Sequence, residues 1–163
     1  MPTTRAILAP FSAEFPASNF PQLTTINARP ALAFDAATKE TAYWTLAAPQ
    51  GMTGTMTLVL TFMMASATSG NIEMLAAVEA ITDADAVDLD ATTSFDTENA
   101  SGAVTVPGTA GYIKQCSVTL TTQDSAAAAD YLRISIARDA ADATNDTATG
   151  DLYLLMAELR DAA

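Results

Sequence analysis

Residues Thr55 to Met64 read TMTLVLTFMM, and the run alternates without a break. Met56, Leu58, Leu60, Phe62 and Met64 fall on one side, while Thr55, Thr57, Val59 and Thr61 fall on the other, which is the period of a half-buried β-strand and not of a helix. Downstream, Ile72, Met74, Ala76 and Val78 alternate with Glu73, Leu75, Ala77 and Glu79. The intervening Ser66 to Asn71, SATSGN, reads as a hairpin connection in which Gly70 supplies a positive φ. In a third run, Tyr112 to Thr121, Cys116, Val118 and Leu120 turn inward; in a fourth, Tyr131 to Arg138, Leu132, Ile134 and Ile136 do so. Leu152 to Arg160 carries apolar residues on both faces, as a strand covered on both sides would. Leu32 to Phe34 and Thr41 to Leu46 add two short strands.

Polar turns separate these strands and no helical crossover intervenes; Ser125 to Ala129 is too short to stand as a helix. The fold class is therefore all-β, an antiparallel β-sandwich of jelly-roll type. Five of the seven prolines, Pro2, Pro10, Pro16, Pro21 and Pro30, fall in the first 30 residues. They forbid a long helix and remove donors from any central strand. The expected organisation is an extended N-terminal arm over residues 1–30 and a sandwich domain over residues 31–163.

Half of the 163 residues are apolar, but 35 residues are alanine, so the larger apolar side chains suffice for one core. Nineteen acidic residues against seven basic ones leave a net charge of −12 with no basic stripe, which disfavours nucleic acid and anionic membranes as partners. Histidine is absent, removing the Ser-His-Asp, Cys-His and His-ligated metal chemistries together. The lone Cys116 reads as a buried thiol. No apolar run reaches the length of a spanning helix, and MPTTRAILAPFSAEFP lacks the pattern of a signal peptide.

No catalytic residue is assigned. Glu73 and Glu79 lie on one strand roughly 20 Å apart, too far for a paired-carboxylate mechanism, and Glu40 and Glu158 cannot be placed beside them. Asp83, Asp85, Asp88, Asp90, Asp96 and Glu98 lack the glycine and terminal glutamate of an EF-hand loop, and read as a solvated loop. Asp139, Asp142, Asn145, Asp146 and Asp151 read as a second solvated connection. Neither cofactor nor metal is expected, and the domain is expected to fold without an ion. Tyr43 and Trp44 offer an aromatic platform for a sugar ring, against the simpler expectation of a core Trp and a half-exposed Tyr.

The order LAFDAATKETAYWTLAAP, TMTLVLTFMMASATSGNIEM, VTVPGTAGYIKQCSVTLT, YLRISIARDAADATNDTATGD and LYLLMAELRD, over about residues 31 to 161, resembles jelly-roll cement or decoration proteins of tailed bacteriophages. SATSGN, PGTAGY and the arginine-bearing strand with its Asp-rich loop, Arg133 to Asp151, carry most of the likeness. The resemblance implies a virion structural protein and not an enzyme. It would be made in the host cytoplasm and seated on the outer capsid surface, with the major capsid protein and itself, as a homotrimer, for partners. The other reading is a carbohydrate-binding module of a tail fibre or baseplate protein. Ile7, Leu8, Phe11, Phe15 and Phe20 are the candidate docking residues, since an arm without local core would leave them in water. The alternative is that the arm folds back and closes an edge of its own sandwich.

Overall fold

The computed structural model describes residues 2–52 and 54–161; the first residue of the expected arm and the last two of the expected domain lie outside them. Twelve strands are described: β1 Thr4–Leu8, β2 Gln22–Ile26, β3 Arg29–Phe34, β4 Glu40–Ala47, β5 Met56–Met64, β6 Asn71–Ile72, β7 Met74–Ile81, β8 Asn99–Ala100, β9 Val104–Thr105, β10 Lys114–Leu120, β11 Tyr131–Arg138 and β12 Leu152–Arg160. The one helical element among the described residues is a 3-10 turn, Pro10–Ser12, with proline at its start. The fold is all-β and every pairing is antiparallel.

One sheet runs β10-β5-β12-β3-β2, with β1 also on β12; the other runs β4-β11-β7-β8, and β6 pairs with β9 alone. Met56, Leu58, Leu60 and Phe62 from β5, Val118 and Leu120 from β10, and Leu132, Ile134 and Ile136 from β11 are all fully buried in one shared core. Two sheets packed face to face over that core make a β-sandwich. The inward sets expected for β5, β7, β10 and β11 are the observed ones. The second face of β7 is covered as well, since Leu75, Ala77 and Glu79 are also buried, as is Glu73 just before the strand.

Three expectations are corrected. SATSGN is not a hairpin: β5 belongs to one sheet and β7 to the other, so the segment crosses the sandwich. Gly70 has φ +88°, and a Cβ there would stand 3.0 Å from the Ala148 backbone, so the glycine serves a close approach between two loops. Second, β12 is not covered on both faces. Its register shifts between Leu154 and Met156, so Leu152 and Leu154 point inward before the bulge and Ala157 and Leu159 after it, leaving Leu155 and Met156 half-buried. The bulge falls where the neighbour of β12 changes from β3, on Leu152–Leu154, to β1, on Ala157–Arg160.

Third, the described part of the expected arm, residues 2–30, does not stand apart from the sandwich. β1 joins β12 and β2 joins β3. Between them the chain follows the free side of β4: Glu14 and Tyr43 exchange backbone hydrogen bonds of 2.8 and 2.9 Å, and the Thr41 N–H donates to Asn19 O at 2.9 Å. The segment therefore closes an edge, as the alternative held, and satisfies strand donors that would otherwise stay open. Prolines at positions 10, 16 and 21 fall outside its strands, which is why five strand residues could form on either side of them.

Candidate functional site

The N-terminal segment divides the five proposed docking residues. Leu8 is 3% exposed and sits in the core, since β1 pairs Leu8 with Ala157. It cannot meet a partner. Ile7, Phe11, Phe15 and Phe20 remain exposed, Phe11 at 72%. Phe15 and Phe20 have ring centroids 5.5 Å apart, so they form one tilted aromatic pair at the surface. Leu23, Tyr112 and Ile113 are exposed too, and none of them stood out in the sequence. A groove lined by Ile26, Asn27, Arg29, Met63, Gly111, Ile113 and Leu155 adds apolar surface on the larger sheet.

Tyr43 and Trp44 do not form a sugar platform. Trp44 is buried, and its indole N–H donates to Ala9 O at 2.9 Å, which ties the core to the N-terminal segment. Tyr43 stacks on Phe95 at 5.5 Å, and the Arg133 guanidinium lies 5.0 Å from the Tyr43 ring and 5.4 Å from that of Phe95. Arg133 Nη1 also donates to Glu79 Oε2 at 3.2 Å, and Glu79 Oε1 accepts from the Ser94 N–H and hydroxyl. This clasp pins the stretch after β7 onto the outer face of the smaller sheet. Burial of Glu79 is thereby matched by charge and by hydrogen bonds. The acidic residues Asp83, Asp85, Asp88 and Asp90 earlier in the same stretch are exposed.

The second acidic connection is not simply solvated. Arg138, at the end of β11, is fully buried, and its Nε and Nη2 donate to Asp146 Oδ2 and Oδ1 at 2.9 and 2.8 Å. Its remaining donors reach Gly150 O and Ala148 O, each at 2.8 Å. One arginine thus fixes the loop that packs on Gly70. Beside it, oxygens of Glu73, Asp139 and Asp142 lie within 4.8 Å of one another. Burial raises the Glu73 carboxyl above its usual range, and Asp142 and Asp139 add to the rise. Asp142 moves the other way, chiefly because the Thr144 N–H donates to it at 2.8 Å. Sequence spacing did not bring Glu73 to this corner, because the contact spans two loops.

Glu73, between β6 and β7, and Glu79, on β7, are each committed to a different cluster, so they do not form a catalytic pair. No helix among the described residues is long and apolar enough to cross a membrane. No family model matches the sequence, and no curated protein matches it.

Proposed function

We propose that this chain is a head decoration, or cement, protein of a tailed bacteriophage: a jelly-roll homotrimer on the outer capsid surface that reinforces the major capsid protein through non-covalent contacts. The observation that carries this reading is the fastened N-terminal segment with Ile7, Phe11, Phe15 and Phe20 exposed. Backbone bonds to Tyr43 and Thr41 already hold it, so docking adds little ordering cost, and each large apolar side chain buried on a partner is worth roughly 1.5–3 kcal/mol. The strand order supports the jelly-roll type. β3, β12, β5 and β10 face β4, β11, β7 and β8, and the chain passes from one sheet to the other between β3, β4, β5 and β7 and again between β10, β11 and β12. Two interleaved Greek keys have that order. The resemblance over residues 31 to 161 supplies the family.

The test is cosedimentation with heads lacking the protein. Wild type should saturate them, while Phe11→Ser with Phe15→Ser should keep its melting temperature and lose binding at least tenfold. Deleting residues 1–22 is not a clean test, since it removes β1 and Leu8 from the sandwich. A double variant that still saturates heads defeats the docking surface. A wild type that ignores heads and binds a glycan array favours a tail-fibre or baseplate module.

A further inference from the structure

β2 is the last strand of the larger sheet, and among the described residues β3 is its one pairing partner. The two strands pair in unbroken register, and the two-residue turn between them has both φ values positive, Asn27 at +47° and Ala28 at +63°. That turn matches the twist of a tight hairpin, so β2 is held in place. Among the described residues, no backbone hydrogen bond reaches its other side. Three other edges are guarded. Residues 14–19 cover β4 through the bonds to Tyr43 and Thr41. β10, across the same sheet, opens with Lys114, and the Asn99 side chain of β8 donates to Thr122 O just past its end at 3.0 Å. The half of β3 that β12 leaves unpaired carries Pro30. β2 has none of these protections, since QLTTI holds no charge, no proline and no bulge. Gln22, Leu23 and Thr25 are exposed, Leu23 at 51%.

A row of free N–H and C=O groups is complementary to another extended main chain. Charge points to the source of that chain. Two copies of a protein with net charge −12 repel one another, but from Phe15 to Phe34 the only charged residue is Arg29, so at this hairpin copies meet without opposed carboxylates. We propose that β2 is a self-docking edge: the β2 strands of two copies pair antiparallel across a two-fold axis and join their larger sheets. An axis through Thr24 keeps the core sides of the two sheets aligned. It sets Leu23 against Thr25 of the second copy and Gln22 against Ile26, with no like charges opposed. A contact this small is weak between free copies and gains wherever copies are held side by side. Its two-fold symmetry sets it apart from the trimer contact of the proposed function, on which it does not depend.

Sedimentation equilibrium of the full chain at physiological salt should show the average mass rising above that of the smallest assembly between about 10 μM and 1 mM. Leu23→Lys with Thr25→Lys puts lysines opposite one another and should weaken this association roughly tenfold. The same lysines lower the net negative charge, so an association limited by overall repulsion would strengthen instead. Mixing that variant with Leu23→Glu, Thr25→Glu sets each lysine against a glutamate and should restore pairing between the two. Hydrogen exchange of the wild type gives a reading that does not depend on how the variants fold: exchange over Gln22–Ile26 should slow as concentration rises. A wild type of constant mass, or exchange indifferent to concentration, overturns the proposal. So do lysine variants that associate as tightly as wild type, or folded variants that fail to pair when mixed.

Discussion

Arg138 and Asp146 meet as a desolvated bidentate pair, with both side chains almost wholly out of water and both carboxylate oxygens bonded. The pair stands at the end of β11 and sets the path of the loop toward β12, so it organises the corner where Gly70 touches Ala148 and where Glu73 meets Asp139 and Asp142.

Removing one partner leaves the other as an uncompensated buried charge. Arg138→Met should cost about 3–5 kcal/mol in urea unfolding. Adding Asp146→Leu to that variant should recover part of the loss, because the orphan anion goes. Strictly additive losses in the double-mutant cycle would mean that the two side chains do not act as a pair.

Gly70→Ala places a side chain at φ +88° against backbone atoms 3.0 Å away. Strain and crowding together should cost roughly 2–4 kcal/mol. Gly102→Ala, at φ +68° with open space around the added carbon, should cost only about 1–2 kcal/mol. Equal losses in thermal unfolding would remove the close approach as the reason for Gly70.

Asp161 anchors the end of β12 to β1, accepting from Arg5 Nε at 2.8 Å and from the Thr3 N–H at 3.1 Å. The Arg5 guanidinium holds its carboxyl below the ordinary 3.8, with the Thr3 N–H helping. A depressed folded-state value adds stability that is present above pH 3.8 and lost as pH falls through the folded value. Wild type should therefore melt above Asp161→Asn at pH 6, and the gap should close toward about pH 2. A gap that is constant across this range contradicts the pairing.

Burial pushes the Cys116 thiol up to about 12, and the side chain is almost inaccessible. At pH 8 it should react with a disulfide reagent only as fast as the protein unfolds, and at once in denaturant. Rapid labelling of the native protein would place Cys116 outside the core.

The strands that were legible in sequence are those whose two faces differ. β5, β10 and β11 alternate clearly, and their inward residues are the buried ones. Legibility failed where pairing, and not patterning, decides. Two strands joined by a short connection rich in Ser, Thr, Gly and Asn look like a hairpin whether they share a sheet or not, and SATSGN is such a connection. β12 hid its bulge because Leu155 and Met156 extend the apolar run through the shift. Proline density masked β1 and β2, each of which fits between prolines. Ile7, Phe11, Phe15 and Phe20 stand out in the sequence by their interleaving with prolines and are exposed, whereas the burial of Leu8 depends on β12 lying beside it. Asp146 and Glu73 became special only through Arg138 and the neighbouring loop, at separations no local motif reports.

The central claim is the seat on the capsid, and an electron-microscopic image reconstruction of virions tests it most directly. The account predicts trimeric density for this chain at three-fold or quasi-three-fold positions of the head, with Phe11, Phe15 and Phe20 turned onto the major capsid protein. A bare head lattice, with the chain found in the tail, at the baseplate or nowhere in the particle, would contradict it.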